Sequence, residues 1–171
     1  VGAGTSGHFL KSQGAGSVPV FAAAGGGKVL QVVSADIDTQ TSTSSTSYEA
    51  TGMTVAITPS ATSSKVYVIA TAQYAGDSGS AYDHRYAHFY LDKGGAGYAA
   101  VGNEYAWTMH ASGAGAHTLG HLSTISALVS PSSTAECTFK VYVKRTDGSA
   151  YYNYNSTSGV GGTITAFEIG A

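Results

Sequence analysis

Charged residues are scarce in this sequence. Asp, Glu, Lys and Arg together make up 11% of the 171 residues, against about 25% in an average soluble domain. The formal net charge is −2, and the eight Lys and Arg residues are scattered along the chain, with only Lys144 and Arg145 adjacent. Because a protein that neutralises nucleic-acid phosphates needs a clustered basic surface, this distribution argues against nucleic-acid binding.

Cysteine and long apolar runs are also nearly missing. Cys137 is the only cysteine, so there is no intrachain disulfide, and its place in the alternating run "ECTFKVYV" predicts a buried, inert thiol. No apolar run approaches the about 18 residues that span a bilayer, and the first residues lack the pattern of a signal peptide. We therefore expect no membrane insertion. The first residue is Val, and we expect a fragment or a processed product.

What the sequence does contain is Gly, Ala, Ser and Thr, arranged in two parts. Residues 1–27 form a Gly/Ala/Ser-rich leader that ends in "AAAGGG". Residues 28–171 consist of short β-type runs separated by turn clusters, with few helix-forming residues between them. We expect an extended stem over 1–27 and a single β domain over 28–171.

Strict alternation of apolar and polar residues predicts the strands of this domain. In "KVYVIATAQY", one face is expected to carry the apolar residues Val66, Val68, Ala70 and Ala72 together with Tyr74. In "ECTFKVYVK" the inward face is expected to carry Cys137, Phe139, Val141 and Val143. The pair "DG" at 147–148 predicts a tight hairpin turn into "SAYYNYN". Eight or more such strands without a fixed repeat predict an all-β fold, an antiparallel, jelly-roll-like β-sandwich.

One predicted strand, "DHRYAHFYL", has two distinct faces. Ala87, Phe89 and Leu91 form one face, and the other face is an aromatic and imidazole row that contains His84, Tyr86, His88 and Tyr90. This row is interpreted either as a sugar-stacking or subunit-contact surface or as a solvent face enriched in Tyr. The run "YYNYN" at 151–155 leaves the same two readings open: carbohydrate recognition or an exposed strand face.

No pattern in the sequence indicates catalysis or a resident cofactor. His84 and His88 are four residues apart, as are His117 and His121, but no third ligand completes a metal site; a ring of one His from each of three subunits remains open. No spacing selects a pair of carboxylates, and there is no G-x-S-x-G motif. We expect no enzyme activity, no cofactor and no protein-borne metal.

Several segments, in order, resemble a known family. They are the leader "GTSGHFLKSQGAGSVPVF", then "KVLQVV", "GMTVAITPSATSSKVYVIATAQY", "STAECTFKVYVKRTDG" and the closing "GGTITAFEIGA". The chain is similar in these segments to C-terminal domains of tail-fibre and related virion-surface proteins of tailed bacteriophages. The resemblance covers most of the chain and is weakest over 72–122. His8 and Phe21 depart from it, because Gln and Trp are common at these places in the family.

The resemblance implies a homotrimeric fibre tip or other appendage on the virion surface, which contacts other virion proteins and binds a host-surface glycan or protein through variable loops. Candidate receptor-binding residues lie in the middle third of the chain: Tyr82, His84, Arg85, Trp107 and His117. Trp107 has a second reading as a core or interface residue.

The leader supports a trimer on physical grounds of its own. It carries five sizeable apolar residues without the length for a core, and a threefold contact would bury them: Phe9, Leu10, Val18, Val20 and Phe21. The alternative is that the leader folds back over its own domain.

Two other functions stay open at this point. The first is a capsid-decoration or head-fibre trimer with the same fold. The second is a glycan-degrading tip enzyme, for which Asp77 and Asp83 would be an example of a paired acid.

Overall fold

A computed structural model describes most of the chain: residue 4 and residues 6–23, 28–39, 41–77, 83–109, 119–145, 149–152 and 161–170. Within these ranges, only the backbone is described for residues 74–77, 83–85, 107–109, 119–121 and 149–152.

Every regular element in the described ranges is a β-strand, as the alternating pattern and the shortage of helix-forming residues predict. The twelve strands in this described part of the chain are β1 (His8–Lys11), β2 (Val20–Ala23), β3 (Val29–Ile37), β4 (Thr41–Thr43), β5 (Glu49–Ile57), β6 (Lys65–Asp77), β7 (Asp83–Lys93), β8 (Ala99–Met109), β9 (Leu119–Val129), β10 (Cys137–Arg145), β11 (Ser149–Tyr152) and β12 (Gly162–Ile169).

Two antiparallel sheets make up the domain. The first, called here the β10 sheet, has the order β5-β10-β7-β8. The second, the β6 sheet, has the order β3-β12-β6-β9, with β11 and β4 continuing beside β6. Because β12 pairs with residues 65–71 of β6 and β11 with residues 74–77, the β6 sheet is four strands wide at each level.

The inward faces of the two sheets form the core, and the predicted alternation is confirmed. On β6 the four predicted apolar residues are buried, as are those on β10, where Cys137 is completely enclosed. Burial also raises the pKa of the Cys137 thiol, in agreement with an inert side chain. On β7, Ala87, Phe89 and Leu91 are buried. The antiparallel β-sandwich is therefore confirmed.

The predicted hairpin between β10 and β11 is wrong. The residues at 147–148 lie outside the described part of the chain, but the strands on either side belong to different sheets. Strand β10 pairs with β5 and β7, whereas β11 pairs with β6 and β4. The chain crosses between the sheets here, and β11 occupies the part of the β6 edge that β12 leaves uncovered.

One end of the sandwich is fastened by a buried carboxylate. Glu168 on β12 is only 1% exposed. It accepts hydrogen bonds from Ser60 N (2.7 Å), Ser60 Oγ (2.6 Å), Ser64 Oγ (2.6 Å) and Gln31 Nε2 (2.7 Å). Burial raises the pKa of this carboxyl, but the hydrogen bonds outweigh it and hold the pKa at about 2. The segments "TPSATSSKV" and "FEIG", distant in sequence, thus meet at one side chain.

The leader contains structure that the sequence did not predict. Strands β1 and β2 pair with each other in a separate two-stranded sheet, in which Leu10 lies opposite Phe21 and Lys11 opposite Val20. The expected extended stem is therefore not confirmed, because much of this segment is a hairpin. Since the directly opposed pair Leu10 and Phe21 lies on one face and Phe9 and Val20 on the other, both faces carry apolar side chains.

Candidate functional site

The predicted receptor-binding residues are described only in part. Tyr82 and His117 lie outside the described residues. His84, Arg85 and Trp107 are described by their backbone, which pairs Arg85 with Trp107 on neighbouring strands β7 and β8. The structure therefore brings two of the five predicted residues together at one end of the β10 sheet and leaves all five side chains undescribed.

The aromatic row predicted on β7 lies on the outer face of the β10 sheet. Tyr86, His88 and Tyr90 are partly exposed there, while the residues between them point into the core. Strand β10 adds side chains in register: Lys140 lies opposite Tyr90, Tyr142 opposite His88, and Lys144 opposite Tyr86. The Tyr90 and Tyr142 rings are stacked, with centroids 4.1 Å apart and an interplanar angle of 28°.

Two further tyrosines reach this face from outside the strands. Tyr48, just before β5, lies with its ring centroid 5.9 Å from His88 and 5.8 Å from Tyr90. Tyr98, just before β8, lies 6.1 Å from Tyr142. We call the whole group the aromatic tract: Tyr48, Tyr86, His88, Tyr90, Tyr98 and Tyr142.

Small residues flank the aromatic tract on both edge strands. Thr54 on β5 and Ala100 on β8 lie at the two ends of the row that contains Lys140 and Tyr90. Similarly, Ala50 lies opposite Tyr142 on the β5 side. Because these flanking residues are small and exposed, the larger rings stand above the edges of the sheet and are accessible to a ligand.

At one end of the tract a lysine is enclosed by polar and aromatic partners. Lys144 Nζ lies 3.0 Å from Glu104 Oε1 and sits over the rings of Tyr48 (4.4 Å) and Tyr86 (4.7 Å). The Tyr48 hydroxyl donates a hydrogen bond to the same Glu104 oxygen. Burial and this contact raise the pKa of Tyr48, and the hydrogen bonds from Tyr48 and Lys144 lower the pKa of Glu104. At this end of the tract the positive charge of Lys144 is therefore balanced by the negative charge of Glu104.

Sequence reasoning missed most of this surface. Tyr48, Tyr98 and Tyr142 were not singled out, nor were Lys140, Lys144 and Glu104. For β10 a signal was available, because the alternation that places Phe139 inward requires Lys140, Tyr142 and Lys144 to share the outer face. Tyr48 and Tyr98 precede their strands, and no periodic pattern predicts that they fold over the sheet.

The outer face of the β6 sheet has a different character. One row across the four strands is entirely apolar or aromatic: Val32, Phe167, Tyr67 and Leu128. In this row Val32 is 53% and Leu128 57% exposed. The two rows that follow it on one side are rich in hydroxyls, which bond across strands as in Ser34–Thr165 (2.9 Å) and Thr71–Thr124 (2.8 Å), whereas the row on the other side contains Ile169 and Lys65.

The predicted trimer-contact residues of the leader are exposed in the single chain. Their exposed fractions range from 39% to 73% for Phe9, Leu10, Val18, Val20 and Phe21. An isolated two-stranded hairpin is marginally stable in water. The apolar side chains on the β1-β2 hairpin thus remain available for a partner.

Comparison with known proteins adds no family assignment. No protein-family model matches the sequence, and no curated protein matches it significantly. In the described ranges there is no group of three or more His, Cys, Asp or Glu residues placed to hold a metal ion. The same residues contain no helix that is long and apolar enough to cross a bilayer.

Proposed function

We propose that this chain is a non-enzymatic receptor-binding domain of a tailed-bacteriophage tail fibre, assembled as a homotrimer, which recognises a glycan on the host surface through the aromatic tract. The observation that carries the proposal is the concentration of six partly exposed aromatic and imidazole rings on one face of the β10 sheet. The resemblance of the leader and the closing segments to phage fibre tips supports the biological setting.

The strand order favours a jelly roll as the finer description of the sandwich. Each sheet holds four of the eight main strands, with β3, β6, β9 and β12 in one and β5, β7, β8 and β10 in the other, and along these eight the chain changes sheet at every step except from β7 to β8. A jelly roll is a double sheet of eight such strands. This fold is used by viral and lectin domains, so it agrees with the proposed setting without selecting a ligand.

The chemistry of the aromatic tract favours a saccharide. A sugar ring presents apolar C–H faces and a rim of hydroxyls, and Tyr and His combine an apolar ring with a hydrogen-bonding tip. Tyr90 and Tyr142 form a stacked platform, and Tyr98 adds a neighbouring ring. On an open sheet face each site would bind weakly, and three linked sites would raise the avidity.

Two apolar surfaces support self-association. One is the β1-β2 hairpin, whose apolar side chains are exposed on both faces. The other is the apolar row of Val32, Phe167, Tyr67 and Leu128 on the outer face of the β6 sheet. Exposed apolar patches on soluble domains mark contact surfaces, and burying this face between copies would leave the aromatic tract outward.

A glycan array tests the receptor proposal. The variant Tyr90→Ala/Tyr142→Ala removes the stacked platform, and we expect it to lose at least about tenfold in affinity for any saccharide that the wild type binds. The matched control, Thr71→Ala/Thr124→Ala, changes an exposed pair on the opposite sheet and should keep wild-type affinity. Unfolding curves establish that each variant folds. Tyr98→Ala is a further variant of the aromatic tract, at a residue that lies outside the strands.

Two outcomes would contradict the proposal. Equal losses in the platform and control variants would mean that the tract is not the binding surface. Release of oligosaccharide by the wild type would mean that the domain is an enzyme. Antibody labelling of intact particles tests where the chain lies on the virion. Label on the capsid would favour a capsid-decoration protein over a tail fibre.

A further inference from the structure

The two lysines on the aromatic face have different surroundings. Lys144 forms an ion pair with Glu104 at 3.0 Å and contacts two tyrosine rings. Its charge is therefore balanced by a neighbour, and the side chain links Tyr48 and β10 to Glu104 on β8, across the intervening strand β7. Lys140, on the same strand four residues earlier, has no such carboxylate partner among the described residues.

Lys140 lies at the open end of the tract. Its Nζ is 4.5 Å from the centroid of the Tyr98 ring, and its backbone lies between Thr54 and Tyr90. A cation over an aromatic ring keeps its full charge and its hydrogen-bond donors. The ring therefore holds the ammonium group beside the tyrosine platform without neutralising it.

One carboxylate on the same face takes part in a turn. Asp92 lies opposite Thr138, in the row next to Lys140. Its Oδ1 accepts a hydrogen bond from Gly97 N at 2.9 Å, within the turn that joins β7 to β8. Asp92 therefore stabilises the turn that presents Tyr98, and in the described part of the chain no ion pair joins it to Lys140.

We propose that Lys140 makes the tract selective for acidic saccharides, in which an anionic substituent on the sugar lies against the ammonium group while a sugar ring stacks on Tyr90, Tyr98 or Tyr142. This inference rests on the proposed glycan-binding function and specifies its ligand class. The shared chemistry is a carboxylate or sulfate oxygen that accepts a charge-assisted hydrogen bond from Nζ. Neutral saccharides would use the rings alone.

Paired saccharide probes test this selectivity. Polygalacturonate is compared with its carboxyl-reduced form, and dextran sulfate with neutral dextran, alongside an array of uronic-acid-containing bacterial polysaccharides and their carboxyl-reduced forms. We expect wild-type protein to prefer the acidic member by about tenfold. In Lys140→Gln this preference should disappear while affinity for the neutral member stays unchanged.

The control variant is Lys65→Gln, which removes one positive charge from the exposed first residue of β6 in the opposite sheet. It should keep the preference for acidic probes, so that a local effect of Lys140 is separated from net charge. A glycan-binding protein that prefers no acidic probe, or whose preference survives Lys140→Gln, would overturn the inference and leave the proposed function intact. Wild-type protein that binds no saccharide of either kind would overturn both.

Discussion

At the scale of single residues, Glu168 is a buried side chain that joins three parts of the chain. It is almost completely buried and accepts four hydrogen bonds from three residues on two other segments. Its partner Gln31 also donates to the carbonyl oxygen of Thr58 at 2.6 Å, which fastens the same loop. A buried carboxylate without these donors would be costly, so the carboxylate and the loop stabilise one another.

Glu168→Gln is expected to lower the free energy of unfolding by about 2–4 kcal/mol, because the amide replaces an acceptor oxygen with a donor that faces other donors. Urea unfolding of the wild type and the variant measures the loss. Glu136→Gln, at an exposed site, is the control and should remain within about 0.5 kcal/mol of the wild type.

The lowered pKa of Glu168 also makes the stability of the fold depend on pH in the acid range. Its pKa falls from an ordinary 4.5 to about 2 on folding. The unfolded chain therefore takes up the proton first, and this contribution to stability is present above about pH 4.5 and lost as the pH falls toward 2. The difference in stability between wild type and Glu168→Gln should narrow over that range; a constant difference would contradict the assignment.

At the scale of elements, the alternation of apolar and polar residues predicts the strands, but it does not predict which strands pair. The outward residues of β10 are the ones that alternation requires, yet the turn pattern at 147–148 predicted the wrong partner for β11. A short turn favours pairing of consecutive strands. Here β12 leaves the second half of the β6 edge uncovered, and β11 forms backbone hydrogen bonds along it. These bonds to a strand distant in sequence determine which sheet β11 joins.

The β1-β2 hairpin is expected to contribute to assembly of the trimer. Leu10→Ser/Phe21→Ser removes the apolar pair from one face, and we expect at least a tenfold increase in the trimer dissociation constant because less apolar surface is buried between subunits. Sedimentation equilibrium measures the change, and deletion of residues 1–27 should act in the same direction. Lys11→Ser serves as a control in the same hairpin, and equal assembly of all these proteins would exclude a role for the leader.

At the scale of the whole molecule, the two outer faces of the sandwich differ in chemistry. The β10 sheet presents aromatic rings with both lysines, whereas the β6 sheet presents an apolar row beside hydroxyl rows. A domain that binds copies of itself on one side and a receptor on the other needs this division. The proposed trimer and the proposed receptor site therefore do not compete for surface.

The assembled state can be tested directly. At micromolar concentration the wild-type chain is expected to sediment with three times the 17.3 kDa mass of the monomer. Val32→Ser/Leu128→Ser, which makes the apolar row polar, should shift the equilibrium toward the monomer. Ala56→Ser on the opposite sheet is the control. A wild-type monomer at this concentration would contradict the trimer and leave the glycan proposal standing.

The sequence by itself determined the fold class and the inward face of the main strands, because side-chain direction in a strand has a period of two residues and is a local property. It also determined the aromatic row on β7. Only the tertiary structure placed Lys140 beside Tyr98, Lys144 beside Glu104, and Glu168 beneath the loop at 58–64. These neighbours come from different strands or loops, and strand pairing depends on competition among distant segments that no local pattern encodes.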